Sequence, residues 1–476
     1  MAEGEIYNIK HIVTYKAHKG YSAPRGQRFS AVNAIAVFPD KEHFISGGYD
    51  ATIKLWNISD IIPVKIWTQE TDEYIGGVTS LVIIDENTFL SGGYDRTIKL
   101  WDKTRDEPLK TIIHGCNIDQ IALFPDKRYF ISLCDSYSNG EIEDLKLWDF
   151  ESIGEKNYVT RSELGVNFET INQNIGRETK HDYDHIGTYI QRLHSIATLP
   201  SSGNSVGRFL LGGIQGRIEL WDFKVTYTNP FSGTQTYEFS VIANNKDFSR
   251  ECKVDDFVTS LVIIPDSESI KFLSGYKDNK YTVTLWTIDE NEFRRWEFTR
   301  LKIFRTDNNN NIDYVFGDPV RIAIFPDNKH FISNYGGTIK CWSIDQPSEG
   351  RSHIVKRPER VFFIRRNVDG VGEDQTLPKE RIKTLVVMDN NNILSGGVNR
   401  HVRWYSTYDR PIGKVNTNWF GKILPNENIN HISGYANLQT GDKYIDKIEK
   451  PKGGMKKSKR VNKHYIKKTN KTHRRK

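Results

Sequence analysis

Phe44 to Trp56 reads FISGGYDATIKLW, and Phe89 to Trp101 repeats it almost letter for letter as FLSGGYDRTIKLW. Phe44 and Ile45 begin a short β run, Gly47 and Gly48 allow tight backbone, Asp50 stands where a turn wants a side-chain acceptor, and Ile53, Leu55 and Trp56 resume an apolar strand. Two short apolar runs flanking a polar turn describe a hairpin. Five more worn copies follow: FISLCDSYSNGEIEDLKLW from Phe130, FLLGGIQGRIELW from Phe209, FLSGYKDNKYTVTLW from Phe272, FISNYGGTIKCW from Phe331 and ILSGGVNRHVRWY from Ile393. The stretch is therefore a repeat unit, present seven times.

Each copy is preceded by an apolar run of its own, VNAIAVFPD at Val32, VTSLVIIDE at Val78, IDQIALFPD at Ile118, LHSIATLPS at Leu193, VTSLVIIPD at Val258, VRIAIFPDN at Val320 and IKTLVVMDN at Ile382. A fourth apolar segment usually follows the tryptophan, as at Pro63 to Thr68 and Pro108 to Ile113. The unit is then a four-stranded antiparallel sheet. One such sheet cannot bury both of its faces, so the units must stack radially and the two ends of the array must be closed. Trp56 and Trp101 lie 45 residues apart, whereas Trp148 and Trp221 lie 73 apart, so later units carry insertions.

With Trp-Asp pairs at Trp101 and Asp102, Trp148 and Asp149, and Trp221 and Asp222, the pattern resembles the WD-repeat family of β-propellers over roughly residues 12 to 420. The resemblance implies an all-β, seven-bladed β-propeller of four-stranded antiparallel blades, and from Pro451 the apolar periodicity stops and the chain reads as a disordered basic C-terminal tail. Residues 1–425 form the propeller, with repeat cores near 32–57, 78–102, 118–149, 193–222, 258–287, 320–343 and 382–406; 426–450 are a linker and 451–476 the tail. In that family a strand from one terminus often completes the last blade. Ile6 to His18 alternates apolar and polar residues and is expected to do so here, with Pro411 to Trp419 as the competing segment.

The resemblance also implies a structural network in each blade, joining a loop histidine, a strand serine, the turn aspartate and the strand tryptophan. Ser46, Asp50 and Trp56 match it in blade one, with His18 as a distant candidate, and Ser91, Asp95 and Trp101 match it in blade two without a visible histidine. Trp148, Trp221, Trp286, Trp342 and Trp404 are assigned the same tryptophan role in the remaining blades. Leu211 and Gln215 replace serine and aspartate in blade four, and Gly337 and Asn399 stand near the aspartate position in blades six and seven. Those blades are expected to rely on packing and hairpin hydrogen bonds.

Ser, His and Asp in one repeat also suggest a hydrolase triad, but a nucleophile is needed once, whereas a structural network recurs. The SGG elements are read as tight turns rather than phosphate cradles, because no GxxxxGK[ST] follows a strand. The HDYDH run at His181 to His185 has two histidines four apart but no distant third ligand, and DNNNNID at Asp307 to Asp313 lacks the glycine and terminal glutamate of a calcium loop. RPERVFFIRR, from Arg357, reads as an outer strand with charges on its solvent face. No metal, cofactor or catalytic residue is expected.

The net charge of +7 hides an asymmetry: residues 451–476 hold twelve of the 67 Lys and Arg and no acidic residue, leaving 55 basic against 60 acidic residues elsewhere. Lys456, Lys457, Lys459, Arg460, Lys467, Lys468, Arg474 and Arg475 make this segment a candidate for nucleic-acid binding or nuclear targeting, through phosphate contacts that carry no sequence readout. Cys116, Cys134, Cys252 and Cys341 are scattered, without a CxxC pair, which favours a reducing compartment over secretion. With no long apolar run, the chain is expected to be soluble and intracellular, in cytoplasm or nucleus. Its expected use is a non-enzymatic scaffold or adaptor for protein partners docking on propeller faces, as a monomer or within a larger complex, with a nucleic-acid-associated propeller as the alternative.

Overall fold

The computed structural model describes most of residues 10–406; the longest segments outside the described residues are 69–76, 135–144, 161–192, 246–256, 306–318 and 364–380, together with everything before 10 and after 406. Among the described residues all regular structure is β-strand, and the strands form a seven-bladed propeller of four-stranded antiparallel sheets. Blade one runs Val32–Val37, His43–Gly48, Thr52–Asn57 and Lys65–Thr68 from axis to rim. The next innermost strands are Val78–Ile83, Ile118–Leu123, Leu193–Leu199, Phe257–Ile264, Ile322–Ile324 and Ile382–Val387. Each touches the next, and Ile382–Val387 returns to Val32–Val37, so the ring is closed.

Closure uses the N-terminal strand. Blade seven contributes Ile382–Val387, Asn392–Gly397 and Val402–Ser406, and its fourth strand is Lys10–Tyr15, paired antiparallel with Lys10 opposite Ser406 and Tyr15 opposite Val402. The competing segment, 411–419, lies outside the described residues. Tyr15 carries the seam across to blade one. Its ring packs edge-on against Phe44 at 5.2 Å and Trp56 at 5.3 Å, and its hydroxyl donates to the Ile58 carbonyl at 2.7 Å. Trp67, in the outer strand of blade one, does the same to Phe89 and Trp101 of blade two, and Phe304 of blade five does it to Phe331 and Trp342 of blade six. An outer-strand aromatic packed on the next blade's aromatic pair is thus a recurring joint, and the N-terminus supplies one.

The SGG element has a different role from the turn expected of it. Gly47 lies inside the strand His43–Gly48, opposite Ile53, and no unusual φ is recorded for it. A Cβ on Gly47 would stand 2.5 Å from Val78 Cγ1, and one on Gly396 would stand 2.8 Å from Val32 Cγ1. The glycine lets the first residue of the next blade's inner strand press against the backbone, and the same contact joins blade seven to blade one. The left-handed turn residues are instead Ala51, Arg96 and Arg400, at the position after Asp50, Asp95 and Asn399.

Near the axis, polar side chains stitch neighbouring blades together. Asn33 Nδ2 donates to the Val78 carbonyl at 3.1 Å, Thr79 Oγ1 to that of Ile118, Thr259 Oγ1 to that of Val320 at 3.0 Å and Arg321 Nε to that of Lys383 at 3.0 Å. Insertions lengthen the rim: the outer hairpin of blade four runs Ile218–Asn229 and Thr234–Asn244. Arg360–Phe363 is the outer strand of blade six, as its sequence suggests. The connection leading to it adds Ile354–Val355 as a fifth, parallel strand on the edge of blade five, which removes an open sheet edge there.

Candidate functional site

In blade one the four network residues meet. Trp56 Nε1 donates to Ser46 Oγ at 3.0 Å, Ser46 Oγ lies 2.9 Å from His18 Nε2, and His18 Nδ1 lies 2.8 Å from Asp50 Oδ1. Asp50 also accepts from the Thr52 hydroxyl at 2.7 Å and from the Thr52 amide at 3.2 Å. With Nδ1–H donated to the carboxylate, Nε2 accepts from the serine, so the relay has a hydrolase triad's order. Its burial excludes that chemistry: Ser46 and the His18 side chain are both 0% exposed, and a nucleophile in that position meets no substrate.

The other blades show which parts of the network recur. Trp101 donates to Ser91 at 2.9 Å, Trp148 to Ser132 at 2.8 Å, Trp286 to Ser274 at 2.8 Å and Trp342 to Ser333 at 3.0 Å. In blade two Asp95 holds Thr97 and is paired with Lys99 at 2.8 Å, so a lysine ammonium sits beside the turn carboxylate. In blade four, where Leu211 replaces the serine, Trp221 donates to Glu219 at 3.0 Å. Each of the six tryptophans lies face to face with the phenylalanine opposite it in the neighbouring strand, from Phe130 and Trp148 at 5.8 Å to Phe331 and Trp342 at 6.4 Å.

Blade seven differs from expectation. Its strand register sets Tyr405, not Trp404, opposite Ile393, which is the place of the tryptophan in the other six. Trp404 faces the other side of the blade, donates to Asn392 Oδ1 at 3.0 Å and packs among Tyr15, Val32 and Trp56 in the seam. Tryptophan spacing alone hides this, because residues one apart in a strand point to opposite faces. Residues 181–185, 215, 307–313, 337, 399 and the basic positions from Lys456 to Arg475 lie outside the described residues.

Blade three holds a group that the sequence reading missed. His114 Nε2 lies 2.7 Å from Ser132 Oγ, so His114 has the role of His18, and its Nδ1 lies 3.1 Å from Cys116 Sγ. Cys116 and Cys134 form a disulfide. Burial, with Lys146 beside it, depresses the His114 pKa to about 3, which keeps the imidazole neutral at physiological pH. The two cysteines are 18 residues apart and share no motif; pairing of Ile118 with Cys134 in the strand register brings them together.

Comparison with known proteins agrees with this geometry. The family profile described as WD domain, G-beta repeat, matches residues 10–57 and 68–102, the closing strand and the three inner strands of each of the first two blades. The fold is that of a seven-bladed β-propeller whose first repeats are similar to WD repeats. Among solved structures, the β-propeller domain of Cps50 (Swd1) from Myceliophteria thermophila superposes with a TM-score of 0.52 at 12% identity, covering 79% of this chain and 96% of that one. No curated protein sequence matches the chain.

The propeller has one uneven stretch of rim. Ile62, Val64 and Ile66, every second residue leading into and along the outer strand of blade one, are 65%, 60% and 52% exposed, and Leu109 and Ile113 at the outer strand of blade two are 41% and 81% exposed. The two edges are tied together by Trp67 Nε1 donating to the Arg105 carbonyl at 2.8 Å and by a Lys65–Asp106 ion pair at 2.8 Å. Large aliphatic side chains that recur on adjacent edges are a typical feature of a binding surface.

Proposed function

We propose that this propeller is a non-enzymatic scaffold that holds protein partners, and that the rim of blades one and two is a principal docking surface. The observation that carries the reading is the run of exposed aliphatic residues, Ile62, Val64, Ile66, Leu109 and Ile113, on the two most regular blades. Those blades need no help to bury their cores: their tryptophans, phenylalanines and serines are already enclosed. The rim residues therefore serve contacts outside the blade. Fold supports the same reading, since a rigid disc with loop-built faces presents several surfaces at once, and the Ser46–His18–Asp50 relay of blade one is enclosed rather than displayed on them. Affinity purification with the whole chain tests it. Ile66→Asp with Ile113→Asp should lose a defined set of partners while melting at the wild-type temperature; an unchanged set refutes the rim assignment.

A second reading rests on the charge of residues 451–476, with twelve Lys or Arg and no acidic residue. Such a segment binds phosphate backbones by counterion release and tethers a propeller to RNA or DNA, or directs it to the nucleus. In this reading nucleic-acid retention falls steeply with salt and collapses on deletion of 451–476, and retention that survives the deletion removes it.

A further inference from the structure

We propose that His114, Cys116 and Cys134 form a thiol–imidazole site that, once a thiol reductant opens the Cys116–Cys134 bond, holds one soft divalent cation of the zinc class.

The three ligand atoms, His114 Nδ1 and the two sulfurs, all lie within 4.8 Å of one another. Two thiolates and one imidazole are a borderline-soft donor set of the kind zinc selects. Tetrahedral zinc with Zn–S bonds of about 2.3 Å needs its sulfurs about 3.8 Å apart. The Cα atoms of Cys116 and Cys134 stand 6.0 Å apart, so rotation about the Cα–Cβ bonds supplies that separation without moving the strands.

The surroundings of the group are those of a ligand histidine. Its other ring nitrogen, Nε2, is held at 2.7 Å by Ser132 Oγ, which is itself fixed by Trp148 Nε1 at 2.8 Å. Its backbone carbonyl accepts from Lys146 Nζ at 2.8 Å. A histidine whose far nitrogen is anchored in this way presents the near one in a set direction. Blade one shows what this orientation is used for elsewhere: His18 Nδ1 points at the Asp50 carboxylate. In blade three the partner of Nδ1 is the Cys116 sulfur, which becomes an anionic ligand only once the disulfide is reduced and the thiol deprotonated. His114 and Cys134 are buried but Cys116 is only half-buried, which gives reductant and cation a way in and leaves the fourth position to water.

The chemistry balances. Two thiols of the reductant supply two electrons and two protons to the Cys116–Cys134 bond and leave as their own disulfide. The freed thiols each give up one proton as the cation binds, and the two Cys–metal bonds replace the S–S bond as the link between Cys116, two residues before the inner strand, and the end of the second strand. The blade is cross-linked in both states.

The test uses the full chain, reduced and then freed of reductant under argon, titrated with zinc chloride against a chromophoric chelator and separately with cobalt(II) chloride. The expected result is one equivalent of zinc per chain, with sulfur-to-cobalt charge-transfer bands in the reduced protein and neither in the disulfide form of the same protein. His114→Gln should weaken binding at least about tenfold. Cys341→Ser should change nothing, because that buried thiol lies outside the cluster. Comparing the two redox states of one wild-type sequence keeps the test independent of whether any variant folds. No zinc bound by the reduced chain, or equal binding by Cys116→Ser with Cys134→Ser, overturns the proposal.

Discussion

Gly47→Ala isolates the contact that closes each blade onto the next. The added methyl would stand 2.5 Å from Val78 Cγ1, 2.9 Å from Val78 Cβ and 3.3 Å from Leu81 Cδ1, all inside van der Waals contact. Val78 is fully buried at the start of blade two's inner strand and has no space to yield into. Inserting a methylene into a core of this density costs about 1 to 3 kcal/mol. Opposing it, alanine lowers the entropy of the unfolded chain and returns about 0.4 to 1 kcal/mol where the backbone fits. The net expectation is a loss of about 1 to 2 kcal/mol, read as a lower urea midpoint at unchanged slope. Val78→Ala alone also destabilises, by leaving a cavity, but in the double variant the new methyl fills part of that cavity, so the two losses should fall short of their sum by at least about 0.5 kcal/mol. A Gly47→Ala protein as stable as the wild type, or strictly additive losses, would refute the inter-blade role of the glycine.

Asp50→Ala removes the carboxylate acceptor for His18 and Thr52 and leaves the buried imidazole N–H only the longer contact to the Thr52 hydroxyl, at a cost of about 1 to 3 kcal/mol by thermal or urea unfolding; a fully stable variant that had lost partner binding would contradict a structural role. Trp101→Ala should cost about 3 to 5 kcal/mol, since it deletes a buried indole stacked on Phe89 and bonded to Ser91. The depressed His114 pKa fixes a sign: between pH 6.5 and about 3 the unfolded chain binds a proton there that the folded chain does not, so this contribution is intact at neutral pH and lost on acidification. In the metal-free disulfide form the slope from this group approaches about 1.4 kcal/mol per pH unit, and His114→Asn should flatten a plot of stability against pH over that window.

The fold was legible because its unit is short and repeated. FISGGYDATIKLW carries its own strand pairing, and seven copies leave radial closure as the way to bury both faces. The alternation in residues 6–18 marks a candidate closing strand, but 411–419 competes for the same place, and only the pairing of Lys10–Tyr15 with Val402–Ser406 decides between them. Finer contacts were not legible. A glycine in a strand and a glycine in a turn look alike in sequence, so the pressure of Val78 on Gly47 appears only when two blades are set side by side. Trp404 does not take the blade tryptophan's place, because a one-residue offset reverses a strand's faces and in blade seven Tyr405 stands opposite Ile393. Glu219 could have been found as a polar residue two before Trp221, but nothing local says that it replaces a serine on another strand. The Cys116–Cys134 pair was hidden because its closeness comes from the pairing of two strands and from no spacing along the chain. The exposed aliphatic rim was equally invisible, since PVKIWT and PLKTII read as ordinary outer strands until burial separates Trp67 from Ile66.

Cross-linking mass spectrometry of the chain with its co-purified partners tests the scaffold reading most directly. Lys65 and Lys110 flank the exposed aliphatic residues on the outer strands of blades one and two. An amine-reactive linker should concentrate intermolecular cross-links at those two lysines, and Ile66→Asp with Ile113→Asp should abolish them. Intermolecular cross-links spread evenly around the propeller, or unchanged by the double substitution, would contradict a docking surface on this rim.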